Sequence, residues 1–274
     1  MTLHHLDCCT MCPLGRRFIN NQQHLVGHVL ALETAAGDVV LVDTGIGTLA
    51  MAEPQRLMGR QFTTVFRPNR DPARTALRQL EALGHAPADV RHIVLTHLDI
   101  DHAGGLRDFP TATVHVSARE LAAVRDRGTF NERQRYRPIL WEDGTQWAPF
   151  GNEADGVDWF GFTGTRLLPD MADELIAIPF SGHTRGHTAF AIRDGDRWLL
   201  HTGDAYFHTG TVHPHLGPPS RYLRIFERGV AVNRRAVKEN HVRLTELAAG
   251  HPDVTVFCAH DPVEFARLRA GQQI

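Results

Sequence analysis

The stretch "THLDIDHAGG", residues 96–105, limits what this chain can fold into more than any other. It follows His92-Ile93-Val94-Leu95, an apolar run that reads as a buried strand. Two histidines and two aspartates then fall within six positions, with Leu98 and Ile100 between them. On an extended backbone, residues two apart share a face. His97, Asp99 and Asp101 therefore project together, and Leu98 and Ile100 point to the opposite, apolar side. Asp101-His102 before Ala103-Gly104-Gly105 marks a tight turn into a short helix. A polar loop with Asp101 as a helix cap accounts for one aspartate, not for four clustered side chains of ligand type. Imidazole and carboxylate together suit zinc, iron or manganese.

The rest of the chain supplies a frame for that segment. Its 274 residues suffice for a substantial core, and 42% hydrophobic with 22% charged residues is ordinary for a globular protein. A formal net charge of −2 offers no attraction to nucleic acid or an anionic membrane. No run approaches the ~18 apolar residues of a membrane helix, and no export signal is read at the start, so a cytoplasmic protein is expected. Four cysteines, three of them crowded at Cys8, Cys9 and Cys12, make no disulfide framework. Cys9-x-x-Cys12 lacks a second such pair and is read as the end of an N-terminal strand. The unusual count is histidine, at 18.

Strands and helices alternate without a polar linker or repeat. Residues 28–34 and 38–45 read as a hairpin around Ala35-Ala36-Gly37. Residues 71–84 read as one helix, with Asp71 as cap, Pro72 in the first turn and a Gly84 stop. Strands follow at 89–97 and 112–118, and a short helix at 118–126. Strands are expected at 174–182, 188–195 and 196–204, the last two joined at Asp194-Gly195. A helical region at 226–249, a strand at 254–260 and a closing helix from Asp261 complete the pattern. It predicts one mixed α/β layered domain over 1–274.

Other strand ends carry the same chemistry. "SGHTRGH" places His183 and His187 after an apolar strand, "HTGD" delivers Asp204 and "CAHDP" delivers His260. Each alone is unremarkable as a turn or core residue. Their recurrence on four strands points to a shared site, because layered α/β sheets build sites at strand ends.

T-H-x-D-x-D-H-A-G-G, then G-H-T-x-G-H, then G-D, then A-H-D resembles the metallo-β-lactamase-fold hydrolase superfamily, as does the early "LVDTG" at 41–45. The resemblance runs from about residue 28 to residue 262 and is nearest to the lactonase-like branch. It implies a four-layer αβ/βα sandwich with a dinuclear metal site at one edge. One metal would be held by His97, Asp99 and His183, the other by Asp101, His102 and His260, with Asp204 bridging them. Asp43 would orient ligands from behind. His187 is read as structural and His201 as a core residue.

Asp99 departs from the family, which has histidine there. A carboxylate is shorter, harder and anionic. With Asp101, Asp204 and a hydroxide it would neutralise two divalent ions, where the usual ligand set leaves one positive charge. Zinc is the expected metal, with manganese or iron admitted by Asp99. Water held by such ions has its pKa lowered towards ~7 and attacks as hydroxide. Asp204 would position it and Asp101 would accept a proton. Tyr206 is the candidate oxyanion donor, although the lactonase-like tyrosine falls one position later, at Phe207 here.

The substrate is the least legible part. Trp141, Trp147, Trp159, Phe160 and Phe162 lie among arginines in 126–170, and Phe207 and Tyr222 in 207–235. They line a cleft for a small ester or lactone, or they pack the core or a homodimer contact. A glyoxalase II-like thioesterase is the main rival, with a phosphodiesterase behind it. Thioesterases of that kind carry a helical domain after the last ligand, whereas only a short segment follows His260. A metal-binding sensor or scaffold of the same fold remains the non-catalytic alternative, and Asp99 keeps it open.

Overall fold

The computed structural model describes residues 1–15, 24–141, 144–151 and 156–274. Thirteen strands are named here: β1 Thr2–Asp7, β2 His28–Glu33, β3 Val39–Val42, β4 Gly45–Ile46, β5 Val90–Val94, β6 Thr113–Ser117, β7 Gln146–Phe150, β8 Val157–Trp159, β9 Phe162–Arg166, β10 Leu175–Pro179, β11 Thr188–Asp194, β12 Arg197–His201 and β13 Val254–Phe257. All but β4, which makes only isolated bridges to Ala103 and Gly104, form two six-stranded sheets, ordered β1-β2-β3-β5-β6-β7 and β13-β12-β11-β10-β9-β8. In the first, β1, β2 and β3 are antiparallel and β3, β5, β6 and β7 parallel. In the second, β8 to β12 are antiparallel and only β13 joins in parallel.

Side-chain alternation explains why the sheets stack. Val40 and Val42 of β3 join Leu175 and Ala177 of β10 and Phe190 and Ile192 of β11 in one cluster between the sheets. Val39 and Leu41 point the other way, into a layer with Leu80 and Val124 from the helices Ala76–Ala82 and Ala118–Asp126. Ile176, Ile178, Ala189 and Ala191 face a second outer layer with Leu244 and Leu247 of the helix Arg234–Gly250. Central strands are apolar on both faces because both faces are covered. The result is helix, sheet, sheet, helix, the four-layer sandwich expected. Among the described residues, no helix is long and apolar enough to cross a membrane.

Two helical expectations need correction. The segment 71–84 is not one helix but a 3₁₀ turn, Pro72–Arg74, followed by Ala76–Ala82. Thr75 breaks it: its backbone is extended and its hydroxyl accepts from the Arg78 N–H, capping a new helix. The region 226–249 is likewise two helices, Arg221–Val230 and Arg234–Gly250, divided where Asn233 caps the second through the N–H groups of Arg235 and Ala236. Strands β7, β8 and β9 and the helices Thr48–Ala52, Pro54–Leu57 and Arg60–Val65 had no counterpart in the sequence reading.

Candidate metal centre

The ligand-type residues lie just beyond the ends of β5, β10, β12 and β13, at one edge of the sandwich. The backbone after β5 is only partly as expected. His97 and Asp99 lie on irregular chain, whereas Asp101 and His102 sit on a helical turn, Ile100–Ala103. Asp99, not Asp101, occupies the cap position, and its side chain makes no capping bond. Strict alternation therefore fails past residue 99, yet Leu98 is buried in the outer core as the pattern required.

Two clusters emerge. His97, Asp99, His183 and Asp204 bring ligand atoms within 4.8 Å of one another, and so do Asp101, His102 and His260. Asp204 spans both. Its Oδ2 lies 3.4 Å from His183 Nε2 and 3.9 Å from His97 Nε2. Its Oδ1 lies 3.1 Å from both His102 Nε2 and His260 Nε2. Asp99 Oδ2 is 3.1 Å from His183 Nε2 and 3.3 Å from His97 Nε2, and Asp101 Oδ2 is 3.6 Å from His260 Nε2.

This donor set fits a pair of divalent cations. Four imidazole Nε2 atoms and three mostly buried carboxylates converge, and His97 Nε2 is buried without a hydrogen-bond partner. Gathering three carboxylates away from water is costly unless cations offset them. Burial pushes the Asp204 carboxyl up, but His260, His102 and His183 outweigh it and hold it well below the usual range. Burial, reinforced by Arg135, lowers His183 to about 4, leaving the neutral imidazole that a metal ligand must be.

Partners behind the ligands fix their tautomers. His102 Nδ1 donates to Asp43 Oδ2 at 2.8 Å, and His260 Nδ1 donates to the Val26 carbonyl at 2.6 Å. Asp43 also accepts from the Thr96 N–H and hydroxyl, and holds a left-handed backbone at φ 62° to do so. His187 is structural: its Nδ1 donates to the Phe180 carbonyl and its Nε2 accepts from the Asp204 N–H at 3.0 Å. His201 is fully buried, donating to the His28 carbonyl.

Tyr206 does not reach the centre. It is fully buried beneath the second sheet and its hydroxyl donates to Glu264 Oε1 at 2.9 Å, so the oxyanion assignment is withdrawn. Phe207 faces the site instead, stacked on the His260 ring at 5.5 Å with 3° between planes. Cys8 and Cys9 are buried free thiols, which burial pushes well up, so they pack rather than react.

Above the clusters opens a cavity of about 500 Å³. Asp99, Asp101, His183, Asp204 and His260 form its floor; Met58, Phe62, Val65, Phe66, Phe207 and Phe226 form an apolar wall. Asn131, Gln134, Arg135 and Arg137 bring polar groups to the rim. Trp141, Trp159 and Phe162 belong to the outer cores and Trp147 and Phe160 pack against them, so these five aromatics serve packing.

Two functional residues escaped the sequence reading. Glu120 follows Ser117 by three positions and looks like half of a capping box, but Ser117 makes no cap bond. Instead Glu120 is buried, and accepts from the N–H of Leu98 at 3.1 Å and of Gly186 at 2.9 Å, and from the Tyr136 hydroxyl at 3.0 Å. It ties the His97 segment to the His183 segment. Arg135, given no role of its own among the arginines interleaved with the aromatics of 126–170, places Nε 3.2 Å from Asp99 Oδ1.

Comparison with known proteins agrees with this geometry. A "probable metallo-hydrolase" of Mycobacterium tuberculosis is 41% identical over 261 residues, covering 95% of this chain and 80% of that protein. An N-acyl homoserine lactonase of Agrobacterium fabrum is 29% identical over 240 residues, 87% of this chain and 82% of the lactonase. A solved N-acyl homoserine lactone hydrolase, holding N-hexanoyl-L-homoserine at its metal centre, superposes with a TM-score of 0.69 at 19% identity. That superposition covers 96% of this chain and 94% of the other. The sequence model of the metallo-beta-lactamase superfamily matches residues 25–260, and this chain, a metallo-hydrolase with a dinuclear His/Asp centre, belongs to that superfamily.

Proposed function

We propose that the protein hydrolyses the ester bond of a small lactone or ester with an apolar substituent, using two zinc ions. The observation that carries this is Asp204, whose two oxygens face separate ligand clusters on the floor of a cavity with an apolar wall. The imidazole-rich set favours zinc, and the Asp99 carboxylate admits manganese or iron. Bound there, the ions would supply Lewis acidity towards the carbonyl oxygen and lower the pKa of water towards ~7.

The chain's own residues do the rest. His97, Asp99 and His183 would hold one metal and Asp101, His102 and His260 the other, with Asp204 offering an oxygen to each side. Asp101, on the cavity floor beside His260, is placed to take a proton and return it to the departing alkoxide. Phe207 and the wall from Met58 to Phe66 shed water from an apolar substituent and orient the ring above the floor. A volume of about 500 Å³ suits a small molecule. The lactonase relatives support the choice of bond.

A pH-stat assay of the zinc-loaded protein against acyl-substituted γ-lactones, a thioester, a β-lactam and a phosphodiester tests the reading. Lactone opening should dominate, with KM falling as the acyl chain lengthens. Turnover of the thioester or phosphodiester without the lactones would replace it.

A further inference from the structure

Asp99 has two oxygens in different surroundings. Oδ2 points between His97 and His183, and Oδ1 lies 3.2 Å from Arg135 Nε. The guanidinium is itself fixed, with Nη1 donating to the carbonyl of His183 at 2.7 Å and Nη2 to that of Val230 at 2.6 Å. Both partners are mostly buried, the side chains 10% and 15% exposed, so solvent screens the pair weakly. The helix Phe130–Arg135 is joined in this way to a ligand's own backbone and to the end of the helix Arg221–Val230.

We propose that Arg135 is the counter-charge that lets a carboxylate serve as metal ligand at position 99. Replacing an imidazole by a carboxylate takes one positive unit from the cluster, and the guanidinium returns one at 3.2 Å, by charge rather than by a hydrogen bond. The neutral core expected from the ligands alone is therefore not the electrostatic state of this centre. Asp99 and Arg135 together carry the charge of a single neutral imidazole. Arg135 faces the outer oxygen as an ion pair without an aligned hydrogen bond, and its Nη groups, donating to the His183 and Val230 carbonyls, fix the charge there in a way a lysine would not reproduce. The inference rests on the dinuclear centre and not on the identity of the substrate.

A double-mutant cycle on the holoprotein tests it, read by zinc affinity in competition with a chromophoric chelator and by zinc per chain. Arg135→Gln should weaken one of two zincs at least tenfold and leave the other within threefold. In an Asp99→His background the same change should cost nothing or tighten binding, because the guanidinium then repels the cation without a carboxylate between them. Arg135→Lys, which keeps the charge but loses the hold on His183 and Val230, should fall between wild type and Arg135→Gln, and it serves as the single variant if Arg135→Gln does not fold. An equal loss in both backgrounds would mean Arg135 acts only as a strut for the His183 loop and would overturn the proposal. Unchanged zinc affinity in Arg135→Gln, or identical losses in the Lys and Gln variants, would overturn it as well.

Discussion

The Asp43 carboxylate accepts a hydrogen bond from Nδ1 of His102 at 2.8 Å, across 59 residues of sequence and with both side chains 1% exposed. This bond fixes the ring so that His102 Nε2 faces Asp204 at 3.1 Å, the orientation a metal ligand needs. Asp43→Asn keeps the shape but can present an N–H to the ring and reverse the tautomer. Metal affinity should fall by roughly 10–100-fold, as for other partners behind ligands. Elemental analysis after dialysis against graded chelator measures it, with far-UV circular dichroism unchanged.

Asp204 should be more sensitive than any partner behind a ligand, because each oxygen serves a different cluster. Asp204→Ala is expected to lower zinc per chain from two and to cut turnover by more than the ~10–100-fold of an outer partner. The backbone there is held independently by the His187 ring, which accepts from the Asp204 N–H, so thermal unfolding of the chelator-treated protein should shift little. Two zincs retained with normal turnover would remove Asp204 from the bridging position.

Glu120 gives a structural counterpart. Glu120→Ala leaves the N–H groups of Leu98 and Gly186 and the Tyr136 hydroxyl without their acceptor in a buried place. Each such group costs about 1–3 kcal/mol, so a loss of several kcal/mol is expected in urea unfolding. Both ligand segments move together in this picture. Metal affinity should drop at the His97/His183 side while the Asp101/His102/His260 side is spared.

How much of this was legible follows from where the chemistry was local. His97, Asp101, His102, His183, Asp204 and His260 follow apolar strands directly, so the strand signal and the ligand signal reinforce each other. Glu120 and Arg135 act on residues 22 and 36 positions away in number, and each sits in a helix whose polar pattern has a sufficient local explanation. Tyr206 failed for the opposite reason. Proximity in sequence to Asp204 suggested a shared direction, whereas the next residue, Phe207, turns to the cavity and Tyr206 turns under the sheet to Glu264. The apolar wall was missed because Phe62 lies on the short helix Arg60–Val65 and Phe66 caps its end, in a span between Gly47 and Asn69 with no long periodic signal.

The final prediction concerns acid. His5 Nδ1 lies 2.8 Å from His28 Nε2, and His28 packs against Phe257 and Phe265 at 4.9 Å. Burial, with the nearby His201 and His4, lowers His5 to about 4, and burial, with His5 and His201, lowers His28 well below its ordinary 6.5. Both are neutral in the folded protein while the unfolded chain takes up protons below pH ~6.5. The unfolded state then binds more protons, so stability falls as pH drops from ~6.5 towards ~4 and is regained as pH rises. His5→Gln retains a hydrogen-bonding group that does not titrate. It should recover on the order of 1 kcal/mol of the loss at pH 5 relative to wild type, after discounting for the partial exposure of His5. Urea midpoints at pH 7.5 and 5.0 for the two proteins measure this, and proton-linked loss of metal is common to both and cancels in the difference. Parallel pH profiles would show that His5 protonates without cost and that acid acts elsewhere.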